Sequence, residues 1–208
     1  MVPRRDAVRC DVQARKALPM HVLETPRLIL KPPTPRDEQL LHGLHSDPLV
    51  TTSIRDGISP TVEQSKAELR QYINHWERVR FGPWMVFVKE DGRARKFAGS
   101  CGLVICGANL PEDPDNVELV FCLHQRDCGK GIGPEAGRAV ARFAFEHLKL
   151  EKISAFIRPS NTRSLRAAPK VGFKYVGPCI YNDMERKQFE LTYASYMKPV
   201  VDQVLTLR

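Results

Sequence analysis

The chain has 208 residues, 42% hydrophobic and 27% charged, which favours a single soluble domain whose core needs neither disulfides nor a structural metal. No apolar run approaches the roughly 18 residues of a membrane span, so a membrane partner is not expected. Thirty-two lysines and arginines against 24 acids give +8, which suits an acidic partner; five basic residues against Asp6 and Asp11 in the first 20 supply +3 of it, leaving +5 elsewhere.

Residues 1–22 read as a loose arm. A branched, alternating run at 25–31 has a strand signature, and Pro32, Pro33 and Pro35 end it because proline removes ladder donors. Residues 37–45 place Leu40, Leu41 and Leu44 on one helical face, and Ser46-Asp-Pro48 breaks that helix. The spacing of Leu69, Tyr72, Ile73, Trp76 and Val79 predicts a helix over 61–80, stopped by Gly82-Pro83. Strands follow at 84–89, 97–106 and 117–123, an antiparallel run of three. A helix then opens near Pro134-Glu135 and runs to His147, since proline and an acid both suit a first helical turn. The chain continues with a strand at 153–157, a short helix at 161–168, and strands at 173–180 and 189–197. This alternation predicts a mixed α/β sheet with helices on its faces. Residues 23–198 form the domain and 199–208 a tail.

The six cysteines, at 10, 101, 106, 122, 128 and 179, contain no Cys-x-x-Cys pair. No metal is therefore expected, and a reducing, cytoplasmic location is. Cys101, Cys106 and Cys122 sit in apolar runs and read as core residues.

The distinctive segment is Arg126-x-x-Gly129-x-Gly131-x-Gly133, between a strand and a helix start. Glycines allow close backbone approach, and the first N–H groups of a helix lack internal partners, so the two together cradle an anion such as a pyrophosphate. Arg126 and Lys130 add positive charge. The segment is not a P-loop, lacking Gly-Lys-Ser/Thr, and Pro134 stands where a dinucleotide fingerprint needs its third glycine.

In this context the sequence resembles the GNAT acetyltransferases, in particular the branch that includes the N-acetyltransferases of ribosomal proteins. Arg126, Gly129 and Gly131 match the family's Q/R-x-x-G-x-G/A. Pro159, Asn161 and Ser164 match that branch's P-x-N-x-x-S, and Lys170, Gly172, Phe173 and Gly177 its K-x-G-F-x-x-x-G. The opening at 25–30 and Ser46-Asp-Pro48 look like the same branch. The resemblance covers roughly residues 23–198.

It implies a GNAT fold: a mixed, mostly antiparallel central sheet, splayed at the coenzyme strand and flanked by helices. It further implies acetyl-CoA as cosubstrate. The backbone of Val120, Phe121, Cys122 and Leu123 would lie along the pantetheine arm and steady the oxyanion. Arg126, Gly129, Lys130, Gly131 and Gly133 would hold the pyrophosphate, Asn161 would bond the pantetheine arm, and Ser164 would support the departing thiolate. Many relatives carry a tyrosine as general acid four residues after that serine; here the position is Ala168, and Pro169 follows it, which should end or kink the helix.

An amine acceptor must lose a proton before it attacks. The candidate bases are Glu118, in the coenzyme strand, and Asp183 and Glu185, read as lying in the last interstrand loop. His124 reads as a surface or loop residue, and Trp76 and Trp84 as core or cleft wall. Cys128, beside the cradle's charges, should have a lowered pKa. The acceptor is a protein N-terminus or a small-molecule amine, and the protein a monomer or homodimer. A coenzyme-A-binding module without turnover is the alternative, favoured by Ala168 and Pro169. Nucleic-acid binding ranks last, since no aromatic-plus-basic stacking motif is present.

Overall fold

The alternating run at 25–31 does not form one strand. In the computed structural model, which describes residues 20–90, 94–106 and 116–197, it is a hairpin of β1 (Leu23–Glu24) and β2 (Leu28–Lys31). Pro26 lies in the turn, and Thr25 closes it: its N–H donates to the Leu28 carbonyl at 3.0 Å and its Oγ1 accepts the Leu28 N–H at 2.9 Å. The tail at 199–208 and all but three residues of the arm at 1–22 lie outside the described residues.

Helix α1 (Glu38–His45) ends at Ser46, as expected, but Asp47-Pro48 starts a helix and does not merely break one. Asp47 caps α2 (Pro48–Ile54), accepting the Leu49 N–H at 3.0 Å, while Pro48 occupies the first turn, where no donor is needed. Helix α3 (Val62–Val79) opens with a reciprocal Thr61–Gln64 capping box and closes on Arg80 in a left-handed conformation.

Strands β3 (Pro83–Glu90), β4 (Ala94–Ile105) and β5 (Val117–Leu123) form the expected antiparallel run. Helix α4 (Ile132–Glu146) starts two residues before Pro134, because Gly131 at φ 79 turns the chain directly into it. Then come β6 (Lys152–Ile157), α5 (Thr162–Val171), β7 (Lys174–Tyr181) and β8 (Met184–Thr192). The last strand is thus displaced from the expected 189–197. Asn182 and Asp183, at φ 50 and 57, make a two-residue turn of the kind that matches strand twist, so β8 begins immediately after it. Glu185 is consequently a strand residue paired with Ile180, not a loop residue.

Pro169 does not end α5 at its own position but sits in its last turn. The helix runs on to Val171, and Gly172 at φ 118 closes it, with the Gly172 and Phe173 N–H groups both reaching the Ala168 carbonyl. The first turn, which carries Ser164, lies upstream of the proline.

The strand order is β1-β2-β3-β4-β5-β6-β8-β7, antiparallel everywhere except β5 against β6. Strand alternation splits the core across the sheet. Trp84 and Val86 face the α4 side, where Phe143 and Ile153 also pack; Met85, between them, faces Leu41, Leu44, Val50 and Leu69 of α1–α3. Trp76 and Trp84 are buried core residues, edge-to-face at 4.6 Å.

Candidate active site

Strands β5 and β6 meet through one register pair, Glu118 with Ser154. Beyond it they part, so the β6-facing backbone of Leu119 to Leu123 has no strand beside it. This gap leads into a cavity of about 390 Å³, walled by Val120, Phe121 and Cys122 from β5, Phe156 and Ile157 from β6, and Asn161, Ser164 and Ala168 from α5.

The glycine loop at 125–131 closes the open end of β5. Gly129 and Gly131 both lie at φ near 80, a conformation that other residues adopt only under strain. A side chain on Gly129 would meet nothing, so the loop is open above it, whereas one on Gly131 would press on the Arg27 guanidinium at 3.3 Å. Gly133 packs against Leu123 and Phe121, tying α4 to β5. Arg126 and Lys130 are more than half exposed and lie 3.5 and 3.2 Å from the buried Asp127 carboxylate, with Lys96 at 3.4 Å. Burial raises the Asp127 pKa, but Lys130 and Lys96 outweigh that and hold it below the usual range. Glu135, expected to answer the helix dipole, instead takes hydrogen bonds from Thr25 Oγ1 and Arg27 Nε, both at 2.6 Å, and so fastens the first hairpin to α4. A pyrophosphate fits here: open glycine backbone, the unpaired first N–H groups of a helix and three lysine and arginine side chains converge.

Asn161 caps α5, its Oδ1 accepting the Ser164 N–H at 3.1 Å, so its amide NH₂ supplies its donor capacity at the cavity wall. Ser164 sits one turn before Ala168 on the same wall.

Glu118 shares its strand face with Cys122, which packs towards α1–α3, and so points away from α4. It is 9% exposed, and the Tyr181 hydroxyl donates to its Oε2 at 2.9 Å. Tyr181 is itself stacked on Phe156 at 4.1 Å. Burial pushes the Glu118 pKa up to about 7, against the pull of Tyr181, the Phe156 backbone and the Arg186 charge. Asp183 lies exposed at the hairpin tip, and neither it nor Glu185 lines the cavity.

Sequence reasoning missed the opposite wall. His45 Nδ1 lies 3.2 Å from Glu68 Oε2, Arg55 bonds the same oxygen, and Tyr72 donates to Oε1 at 3.3 Å. Burial raises the Glu68 pKa, but its bonds to His45 and the Arg55 charge win and hold it low. The one local clue was the i, i+4 spacing of Glu68 and Tyr72 on a helix; His45 and Arg55 come from other helices.

His124 is the loop residue expected, but a buried one, with Nδ1 3.1 Å from Asp47 Oδ2, which also accepts the Gln125 N–H at 3.0 Å. The cap of α2 thus grips the start of the phosphate loop. Cys128 is half-buried, its thiol 3.5 Å from the His124 carbonyl, and burial pushes its pKa up despite Arg163 nearby. Cys122 is also only half-buried and lines the cavity, and burial lifts its pKa to about 12.

Among the described residues no helix is long and apolar enough to cross a membrane, and no cluster of His, Cys, Asp and Glu could hold a metal.

Residues 27–174 match the family described as Acetyltransferase (GNAT) domain. The chain is 31% identical to the uncharacterized protein YkkB of Bacillus subtilis over 74% of its own length and 85% of that protein's. It is 27% identical to the uncharacterized N-acetyltransferase p20 of Bacillus licheniformis, over 83% of this chain and 92% of the other. Among solved structures, the aminoglycoside acetyltransferase AAC(6')-Ib in complex with coenzyme A superposes with a TM-score of 0.69 at 20% identity, covering 82% of this chain and 98% of that one. The splayed sheet, the glycine cradle and these matches agree: the chain belongs to the GNAT acetyltransferase family and is an acetyl-CoA-dependent acyltransferase.

Proposed function

We propose that the protein acetylates a primary amine, on a protein N-terminus or a small molecule, by direct attack in a ternary complex, with Glu118 as general base. One observation carries this reading: a buried carboxyl with a pKa of about 7 stands where β5 and β6 part. A base poised near the working pH removes a proton at low cost while a substantial fraction of it is still carboxylate. Glu118 is preferred over Asp183 and Glu185 because it alone of the three lines the cavity.

Bound acetyl-CoA supplies the thioester carbonyl that the amine attacks. The chain's own groups do the remainder. Arg126, Lys130 and the glycine backbone hold the phosphates. The unpaired backbone of Val120 to Leu123 offers N–H donors to developing negative charge. Asn161 positions the arm, and Ser164 offers its hydroxyl to the departing sulfur, taking the role that Ala168 cannot. Glu118 takes the ammonium proton, and Tyr181 orients its carboxylate. Bringing amine and thioester together in one cavity contributes much of the rate.

The motifs at 46–48, 159–164 and 170–177 support a place in the branch that acetylates ribosomal proteins. Five described cysteines are free thiols, which supports a cytoplasmic location. Ala168 is the one feature favouring a coenzyme-binding module without turnover. Release of free thiol from acetyl-CoA across a panel of amines and peptide N-termini separates the two: amine-dependent release supports transfer, and tight coenzyme binding without release overturns it.

A further inference from the structure

The charged side chains on the cavity wall do not all have ion-pair partners. Four ionisable acids and arginines stand there: Glu68, Glu118, Arg158 and Arg186. Glu68 is answered by Arg55, and Arg158 by Asp56 Oδ1 at 2.5 Å. Glu118 and Arg186 are left.

Arg186 stands near the start of β8. Its neighbour on the same strand face, Gln188, pairs with Phe156, so Arg186 projects to the side on which Glu118 and Phe156 lie, opposite the phosphate cradle's helix. Its Nη1 donates to the Glu185 carbonyl at 3.1 Å, and its Nη2 lies 3.7 Å from the Met184 sulfur, a weak acceptor. Among the described residues it forms no ion pair. Its charge reaches Glu118 and, more weakly, Asp56, which is already bonded to Arg158; burial together with the neighbouring Arg158 outweighs these acids and lowers its own pKa. A half-buried guanidinium beside another arginine is costly unless something anionic meets it.

We propose that Arg186 anchors an anionic group of the acceptor, so that the acceptor is an amine bearing a carboxylate or phosphate a few bonds from the reacting nitrogen. This rests on the acetyl-transfer reading, with the amine directed to Glu118. Once Glu118 has taken the amine's proton it is neutral, and the Arg186 charge is left for the acceptor to answer. A guanidinium fork meets carboxylate or phosphate oxygens in pairs, which fixes orientation as well as binding. A polycation of the aminoglycoside kind would instead bring further positive charge against Arg158 and Arg186.

The test uses matched acceptors: tyrosine against tyramine, phosphoethanolamine against ethanolamine, and kanamycin as polycation. Thiol release and calorimetric titration into the coenzyme-A-loaded protein are both measured, for the parent, Arg186→Ala and Arg186→Lys. The anionic member of at least one pair should be preferred at least tenfold in kcat/KM, and the pair that responds distinguishes carboxylate from phosphate. Arg186→Ala should erase that preference through KM, and Arg186→Lys should restore part of it. Equal use of charged and uncharged members, preference for kanamycin, or a preference that survives in Arg186→Ala overturns the proposal. If no amine releases thiol, the transfer reading fails, and titration still decides this one: Arg186-dependent binding of the anionic member supports it, and its absence rejects it.

Discussion

The two sides of the cavity are built in opposite ways. The side proposed to hold the coenzyme comes from short, contiguous pieces of chain, β5 into the loop 125–131 into α4, and the turn before α5. The acceptor side is assembled from α1, α2, α3 and the β7–β8 hairpin, with groups as distant as His45 and Arg186. On the proposed reading, backbone and helix ends would serve the cosubstrate on one side, and side chains from separate elements the acceptor on the other. Loop and helix exchanges on the second side would therefore change the acceptor without disturbing the first.

That contrast can be broken by substitution. On the glycine-loop side the largest effect should come from Gly131→Val. A branched residue at φ 79 is strained by about 1–3 kcal/mol and pushes on Arg27, a cost a folded domain can absorb. Coenzyme A affinity should fall at least ~100-fold by calorimetry, with the circular dichroism spectrum retained and the acceptor wall unchanged; unchanged affinity would make the loop a plain turn. Next, Ser164→Ala should lower kcat up to about 100-fold with little change in KM, because the hydroxyl acts as the thiolate leaves. A loss carried in KM alone would reassign Ser164 to binding.

On the acceptor side, Glu68→Gln should leave coenzyme affinity intact while destabilising the fold by about 1–3 kcal/mol, since His45 and Arg55 lose a partly buried partner. Because the Glu68 pKa is held low, this contribution is present above the unfolded pKa of about 4.5 and disappears as pH falls through the lower folded value. Chemical denaturation at pH 3 and pH 7 checks both points; equal destabilisation at the two would contradict them.

Much of the coenzyme side was legible in the sequence. Gly129 and Gly131 lie in the loop between strand and helix where the sequence placed them, and Asn161 and Ser164 line the cavity together. Glu118 was legible only as a candidate, because strand alternation decides its direction and the pairing that ends beside it is a tertiary event. The acceptor wall was not legible. Nothing in the chain around His45 or Arg55 announces Glu68, 23 and 13 positions away. The Asn182-Asp183 turn was missed because neither residue is glycine, and that error moved Tyr181 and Arg186 out of view. Cys128 failed for a different reason: burial, which the sequence does not display, outweighs the nearby charge.

The smallest expected effect is on stability alone. Glu118 keeps its proton in the fold up to about pH 7 but releases it in the unfolded chain near 4.5, so folding stability falls as pH rises across that window, by up to about 3 kcal/mol. Glu118→Gln, which does not titrate, should gain melting temperature over the parent at pH 8 and little at pH 4.5. An equal shift at both would mean that the glutamate titrates normally.

The same substitution tests catalysis most directly. With acetyl-CoA saturating and acceptor limiting, kcat/KM for thiol release is followed from pH 5.5 to 9 in the parent and in Glu118→Gln. The parent should rise through an inflection near pH 7 as the carboxylate forms, and the variant should be roughly 10²- to 10⁴-fold slower with that inflection gone. A variant that keeps both the parent's rate and its inflection would contradict Glu118 as the base.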